Sequence, residues 1–165
     1  MEVYLIRHGI AAKRGTYEND EERPLTNKGR QKTAKVAKQL SDRNLRFNLI
    51  LTSPLIRARE TAAILQNAGL ASQVEEFTPL APEGDVRAWL SWLEQRWQHA
   101  TDDQCLALVG HQPDLGNWAE TLVWGEAREK LVLKKAGVIG LTIPNSHSPI
   151  GQSQLFLLTS PKWLL

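Results

Sequence analysis

The sequence predicts an α/β fold: a three-layer α/β/α sandwich whose central sheet is mostly parallel, with one antiparallel edge. Short apolar runs alternate with longer segments of helical periodicity, the pattern of parallel strands joined by helices. The last apolar runs follow one another without a helix, so the edge of the sheet that they form is expected to be antiparallel. A chain of 165 residues has the length of one domain and buries roughly two thirds of its unfolded surface. We therefore expect a single domain over residues 1–165.

The first half of the chain predicts two strands, each followed by a helix. Val, Tyr, Leu and Ile suit a buried strand at residues 3–6, and a second apolar run lies at residues 49–52. Thr26 is the expected N-cap of a helix that extends to about Leu40. Ser53 as cap and Pro54 at the first helical position predict the next helix, to about Asn67.

The second half predicts the remaining elements. They are a strand at 74–77, a proline-bearing loop at 78–84, a helix from the Asp85 cap to about Gln98, a strand at 105–109, a helix at 113–124, strand segments around a bend within 131–143, and a strand at 154–158. Pro161 is expected to end regular structure.

Polar residues follow the ends of three predicted strands. Arg7-His8-Gly9 follows the first strand, Ser53-Pro54 with Arg57 follows the second, and Gly110-His111 follows the strand at 105–109. The carboxyl ends of parallel strands meet at one edge of a sheet, where ligands bind in open α/β folds. The polar loop at residues 10–24, which contains Asp20, is long for a simple connector and is expected to be either functional or disordered.

These motifs, together with Pro24-Leu25-Thr26 followed by Gly29, resemble the histidine phosphatase (phosphoglycerate mutase-like) superfamily. The resemblance extends from Met1 to about Pro113 and continues more loosely to the end of the chain. The short length and the segment Glu83-Gly84-Asp85 are most similar to the small SixA group of phosphohistidine phosphatases.

The residue types suit phosphoryl transfer. A phosphoryl group carries about two negative charges, and guanidinium groups bind its oxygens in pairs. Arg7 and Arg57 are the candidates; Arg59 lies on the same helix turn as Arg57, but the family spacing from Ser53-Pro54 selects Arg57. An ordinary ion pair between Arg57 and Glu60 is the structural alternative.

The resemblance implies that His8 is the nucleophile and that His111 binds the phosphate. A neutral imidazole is available near neutral pH, provided that its other nitrogen donates a hydrogen bond, for which a backbone carbonyl is the expected acceptor. Gly9 is expected to let the backbone approach the phosphate closely.

The sequence leaves three carboxyl groups as candidates for the general acid. Glu83 and Asp85 occupy the region where many members of the superfamily carry their acid, and Glu83 is placed among the catalytic residues. Asp85 is equally well explained as a helix cap. Asp20 is a third candidate and is placed with the substrate-binding residues Arg7, Gly9, Arg57 and His111.

The sequence thus predicts a metal-independent, cofactor-free phosphatase that removes phosphate from phosphohistidine on a protein, such as a histidine-phosphotransfer domain. A small-molecule phosphomonoesterase and a non-catalytic phosphate-binding module are the alternatives. His8 and His111 lack a third ligand at metal-site spacing, and His99 and His147 are expected to be surface residues.

Composition predicts a cytoplasmic protein that binds neither nucleic acid nor a membrane. The one cysteine, Cys105, fits a reducing compartment, and no apolar run approaches the roughly 18 residues of a membrane span. No basic segment with a long apolar stretch follows Met1, so no signal peptide is expected. The net charge of +2 does not call for nucleic acid.

Overall fold

The structure, a computed structural model, describes residues 1–97, 101–145 and 148–165. Six strands form one sheet: β1 Glu2–Arg7, β2 Leu49–Thr52, β3 Val74–Glu76, β4 Cys105–Gly110, β5 Val138–Thr142 and β6 Gln154–Thr159. Their order is β3-β2-β4-β1-β5-β6. Strands β1 to β4 pair in parallel, whereas β5 and β6 are antiparallel. The mostly parallel sheet with an antiparallel edge is confirmed.

Helices cover both faces of this sheet, which confirms the three layers. They are α1 Asn27–Asp42, α2 Ile56–Asn67, α3 Val86–Arg96, α4 Asp114–Trp124 and the short α5 Pro161–Leu164. Apolar residues of α1 and α2 pack with one set of alternate strand side chains, among them Tyr4 and Ile50. Those of α3 and α4 pack with the other set, among them Leu5 and Leu51.

Two predicted caps are confirmed. The Thr26 side chain accepts a hydrogen bond from the backbone N–H of Gly29 at the start of α1. The Asp85 side chain accepts one from Arg87 N at the start of α3. Each side chain satisfies a backbone donor that the first helical turn leaves free.

Two boundaries differ from the prediction. Helix α2 begins at Ile56, not at Pro54, because Ser53 turns its hydroxyl to His111 as well as to Leu55 N. Pro161 begins α5 instead of ending regular structure, since proline suits a first helical turn. The predicted end of the helix at Gln98, and the predictions for His99 and His147, lie outside the described residues.

The segment before β5 is a loop that the buried carboxylate of Glu120 holds in place. The sequence predicts strand at residues 131–133, before a bend at 134–137, as well as after it, but only Val138–Thr142 pairs with β1. The Glu120 carboxylate accepts hydrogen bonds from the backbone N–H groups of Arg128, Lys130 and Leu131. These donors are therefore satisfied without a neighbouring strand.

Among the described residues, none of the helices combines the length and the hydrophobicity needed to cross a membrane.

Candidate active site

The site lies where the adjacent parallel strands β1, β2 and β4 end. Arg7 pairs with Gly110, and Thr52 pairs with Val109, so the residues that follow these strands stand side by side. They open onto a cavity of about 500 Å³. Its lining is Arg7, His8, Ala11, Ala12, Lys13, Arg14, Arg23, Arg57, Pro82, Glu83, His111, Gln112, Pro113, Asp114 and Lys135.

His8 is held as a neutral base. Its Nδ1 lies 2.7 Å from the carbonyl oxygen of Gly9. A carbonyl oxygen only accepts, so Nδ1 carries the hydrogen and Nε2 carries the free electron pair. Burial, followed by the nearby His111, lowers the pKa of His8 to about 2. The ring is therefore a ready nucleophile at neutral pH, and the predicted backbone acceptor is present.

His111 lies beside His8, with the ring centroids 5.1 Å apart. Its Nε2 lies 2.8 Å from Ser53 Oγ, which fixes the orientation of the ring. Burial, then the charges of Arg57 and Arg7, lower the pKa of His111 to about 3. Sequence reasoning treated Ser53 as a helix cap and missed this contact, because the two residues are far apart in the chain.

Arg57 reaches the cavity from the first turn of α2. Its Nη1 donates to the backbone oxygen of Asp20 at 2.8 Å, and its Nη2 lies 3.2 Å from the Asp20 carboxylate. The residue is only 3% exposed, so its side chain is buried beside the cavity that it lines. Its Nε is buried without a hydrogen-bond partner among the described residues.

Two residues on the same helix, Arg59 and Glu60, offered other interpretations of the sequence, and neither lines the cavity. Arg59 pairs with Glu76 and does not line the cavity. Glu60 pairs with Arg30 and accepts from Leu25 N, not from Arg57. The structure thus places Arg57, and not Arg59, with the histidines.

Arg7 enters from the end of β1. Its Nη1 donates to the carbonyl oxygen of Leu133 at 2.9 Å, while its Nε is buried without a partner among the described residues. Burial, followed by the charge of Arg14, lowers the pKa of Arg7 from its ordinary value. An anion at this position would relieve that repulsion.

Gly9 is required for packing, which differs from the expected approach to phosphate. It does not line the cavity, and its N–H donates to Thr61 Oγ1 at 3.0 Å. A Cβ atom at Gly9 would lie 2.3 Å from Thr33 Oγ1, so only glycine lets α1 pack this closely. Thr61 also donates to the backbone oxygen of Arg57, which ties α2 to the segment that carries His8.

The candidate acids occupy different places. Glu83 lines the cavity, whereas Asp85 caps α3 and does not. Asp20 does not line the cavity. It pairs with both Arg57 and Arg23 and so orients their guanidinium groups. The Arg23 side chain, followed in size by the opposing effect of burial, lowers the pKa of Asp20.

Asp114 is a carboxyl group that sequence reasoning missed. It lines the cavity at the first residue of α4, and its Oδ2 accepts from the backbone N–H of Glu83 at 3.2 Å. Burial raises the pKa of Asp114 above its ordinary value. The sequence offered no signal, because an aspartate at the start of a helix is common for reasons of capping alone.

The sequence also did not predict the other basic side chains that line the cavity. Lys13, Arg14, Arg23 and Lys135 add cations to those of Arg7 and Arg57. Burial, then the charge of Arg7, lowers the pKa of Lys135. Within the described ranges, no group of three His, Cys, Asp or Glu side chains is arranged to hold a metal ion.

Comparison with known proteins assigns the family. The model of the histidine phosphatase superfamily (branch 1) matches residues 3–112, which is more than half of the chain. The protein therefore belongs to the histidine phosphatase superfamily, as its motifs predicted. Within the superfamily it is SixA-like in sequence and structure.

Three individual proteins show how near these similarities are. An uncharacterised protein of Picosynechococcus sp. is 52% identical over 169 residues, spanning 100% of this chain and 99% of that protein. Phosphohistidine phosphatase SixA of Escherichia coli is 29% identical over 130 residues, or 76% of each chain. A structure described as the protein histidine phosphatase SixA complexed with tungstate superposes with a TM-score of 0.85 at 25% identity and covers 100% of both chains.

Proposed function

We propose that the protein is a phosphatase that removes the phosphoryl group from phosphohistidine on another protein, acting as a single domain over residues 1–165. The observation that carries the proposal is His8, a buried neutral imidazole whose Nε2 is unprotonated and whose cavity contains Arg7 and Arg57. The similarity to a SixA structure complexed with tungstate, a tetrahedral oxyanion, supports a phosphoryl group as the ligand.

The reaction proceeds in two transfers. The lone pair of His8 Nε2 attacks phosphorus while the P–N bond to the substrate histidine breaks and its electrons leave with the imidazole. The leaving imidazole takes a proton. Water then attacks the phosphorus of phospho-His8 and gives a proton to the carboxylate that protonated the leaving imidazole, the electrons of the breaking P–N bond return to His8 Nε2, and phosphate is released. Covalent catalysis of this kind divides one difficult step into two easier ones.

Two arginines and the neutral His111 hold the transferred group. Arg7, Arg57 and His111 surround the position of the phosphoryl oxygens, and the unpartnered Nε donors of both arginines are assigned to these oxygens. Asp20 acts as a positioning residue, since it binds Arg57 through both its backbone oxygen and its carboxylate.

Asp114 is the proposed proton donor, and Glu83 is the alternative. Both carboxyl groups line the cavity. Asp114 is preferred because burial raises its pKa, which favours the protonated form that an acid needs. The backbone N–H of Glu83 fixes the Asp114 carboxylate.

A protein substrate is favoured by the rim of the cavity. Lys13, Arg14, Glu83, Pro113 and Lys135 all line the cavity and are exposed, so a phosphohistidine on a protein surface meets no covering segment among these residues. A histidine-phosphotransfer domain is the proposed partner. A cytoplasmic location belongs to the same proposal and rests on the single cysteine of the chain.

The test is single-turnover kinetics with a phosphohistidine protein, without added metal. The wild-type protein should release phosphate and form an acid-labile phosphoenzyme. His8→Ala should lose both, whereas Arg59→Ala, outside the cavity, should retain both. Turnover by His8→Ala at the wild-type rate would refute the mechanism. A large preference for sugar phosphates at equal concentration would instead indicate a small-molecule phosphomonoesterase, and binding without any hydrolysis would indicate a phosphate-binding module.

A further inference from the structure

A second cavity lies on the other side of Arg7. It has a volume of about 400 Å³, and its lining consists of Arg7, Ile10, Lys32, Lys134, Lys135, Ser160 and Pro161. Arg7 and Lys135 also line the candidate active-site cavity, so the two cavities are neighbours with a shared wall. The second cavity is lined by four cationic side chains and by no carboxylate.

The turn that carries Lys134 and Lys135 is fastened to the catalytic strand. The N–H of Ala136 donates to the backbone oxygens of Arg7 and His8 at 3.1 and 3.2 Å. Arg7 in turn donates from its backbone N–H to Gly137 and from Nη1 to Leu133. The two lysines are exposed, but the residues on both sides of them are buried. The backbone that carries the two lysines is therefore fixed before an anion binds, which reduces the conformational entropy lost on binding.

Lys32 reaches the second cavity from α1, which is fixed against the same strand end. The next residue, Thr33, is buried, and its hydroxyl packs against Gly9. Helix α1 also packs closely at Gly29, where a Cβ atom would lie 2.0 Å from the backbone oxygen of Ile10. The three lysines thus come from two elements whose position relative to Arg7 is set by backbone contacts.

The charges in this cavity are not balanced by the protein. Within the part of the chain that the structure describes, Lys32, Lys134 and Lys135 form no ion pair. The groups that perturb the pKa of Lys135 after burial itself are all arginines: Arg7, Arg23, Arg14 and Arg57. Several positive side chains that converge from a rigid backbone are typical of anion-binding sites.

We propose that this second cavity is a substrate subsite that binds the carboxylate of an acidic side chain beside the phosphohistidine of the partner protein. The inference rests on the proposed function, since the carboxylate belongs to the same molecule as the phosphoryl group. Arg7 connects the two positions, because it lines both cavities. The subsite selects partners that carry acidic residues next to the phosphorylated histidine.

The test compares two phosphohistidine peptides as competitive inhibitors of p-nitrophenyl phosphate hydrolysis. One peptide carries glutamate on both sides of the phosphohistidine, and the other carries glutamine. We expect the wild-type protein to bind the glutamate peptide about 10-fold more tightly, since a few exposed ion pairs together give this factor. Raising the salt concentration should reduce the preference because exposed charges are screened.

The variant Lys32→Ala/Lys134→Ala removes two cations that line only the second cavity. It should lose most of the preference for glutamate. The matched control is Lys28→Ala/Lys35→Ala, which removes the same charge from exposed positions that line neither cavity. The control should retain the preference.

Equal inhibition by both peptides in the wild-type protein would overturn the subsite, as would a preference that survives Lys32→Ala/Lys134→Ala. Loss of the preference in the control as well would overturn it too, because the effect would then belong to the overall charge. Inhibition is measured whether or not the peptides are hydrolysed. Peptides that bind with the expected preference but are not hydrolysed would refute the proposed function alone.

Discussion

Arg57 is a buried cation whose partner, Asp20, is on the surface. The Asp20 side chain is about half exposed, while that of Arg57 is 3% exposed. The pair therefore presents the guanidinium group to the cavity and leaves the countercharge in solvent. Under the proposed function, a phosphoryl oxygen would meet an arginine whose charge is only partly neutralised, which strengthens electrostatic stabilisation.

Arg57→Ala should lower kcat by about 10²–10³-fold and affect KM less, by analogy with the loss of an oxyanion donor. Arg57→Lys should recover only part of the rate, because an ammonium group cannot make a forked contact. Because Arg57 is buried, its loss should also reduce the free energy of unfolding by about 1–3 kcal/mol. Steady-state kinetics and urea unfolding measure the two effects.

Arg59→Ala is the control for this prediction. Arg59 forms an exposed pair with Glu76, so its removal should change stability by less than about 1 kcal/mol and leave kcat nearly unchanged. A large loss of kcat in Arg59→Ala, with Arg57→Ala active, would contradict the placement of the phosphate site.

Asp114→Asn should distinguish substrates by their leaving groups. Phenyl phosphate needs a proton on its departing oxygen, whereas p-nitrophenolate leaves as a stable anion. We expect kcat/KM to fall by about 10²-fold for phenyl phosphate and far less for p-nitrophenyl phosphate, since general acid catalysis contributes about 10²–10⁴-fold. Glu83→Gln is the comparison. The same leaving-group dependence in Glu83→Gln, but not in Asp114→Asn, would transfer the role to Glu83.

At the scale of residues, the sequence predicted the centre of the site but not its surroundings. Arg7, His8, Arg57 and His111 were recognisable because each follows a strand end or a motif of fixed spacing. Asp114 was not, because its raised pKa arises from burial that no local pattern records. Lys135 was assigned to a bend in a strand, and its place in the cavity depends on tertiary contacts.

At the scale of elements, the loop at residues 125–137 depends on one buried carboxylate. Burial alone would raise the pKa of Glu120, but backbone N–H groups of Leu131, Arg128 and Lys130 outweigh it and lower the pKa. The loop that Glu120 holds contains Leu133, whose carbonyl oxygen accepts a hydrogen bond from Arg7 Nη1. A helix on one face of the sheet thus supports an arginine of the candidate active-site cavity.

Glu120→Gln should therefore damage both stability and activity. The amide offers one acceptor oxygen and places an NH₂ group against backbone donors, so we expect a loss of about 2–4 kcal/mol in urea unfolding. The reduced support of Arg7 should also lower kcat/KM for p-nitrophenyl phosphate. Glu126→Gln, which removes an exposed pair with Arg128, is the control and should change stability by less than about 1 kcal/mol.

The same carboxylate explains the main error in the predicted elements. Residues 131–143 are apolar enough to predict strand on both sides of the bend, and the second part, β5, is a strand. The first part is a loop because Glu120 provides the acceptors that a neighbouring strand would otherwise supply. A partner eleven residues away on a different element leaves no periodic signal in the sequence.

For the whole molecule, the two buried histidines predict a loss of stability in mild acid. Both titrate near pH 6.5 in the unfolded chain but have pKa values of about 2 and about 3 in the fold. Below pH 6.5 the unfolded chain therefore binds protons that the folded chain does not, and stability falls as pH falls. Each histidine should cost about 2 kcal/mol at pH 5.

Urea unfolding between pH 7 and pH 5, in buffers free of phosphate, measures this slope. The variant His8→Gln/His111→Gln should flatten it, whereas carboxyl groups with lowered pKa values, such as those of Asp20 and Glu120, act at more acidic pH. An unchanged slope in the double variant would show that the two imidazoles are not the groups responsible.

The fold class was predictable because it depends on the order of elements, not on their exact boundaries. Alternating apolar and periodic segments were enough to predict parallel strands with helices on both faces, and the adjacent apolar runs at the end predicted the antiparallel edge. The order of strands within the sheet was beyond such reasoning, since it is decided by how the layers pack.

Few residue types are expected to replace Ala136 without a cost in stability. This residue has φ +56° and is buried, and its N–H joins the lysine turn to the end of β1. The left-handed conformation disfavours branched side chains, and burial disfavours large ones, so glycine is the replacement expected to cost the least stability. The position lies outside residues 3–112, over which the family model matches. A large or β-branched residue at this position would therefore be expected to shift the turn that carries Lys134 and Lys135 away from the end of β1.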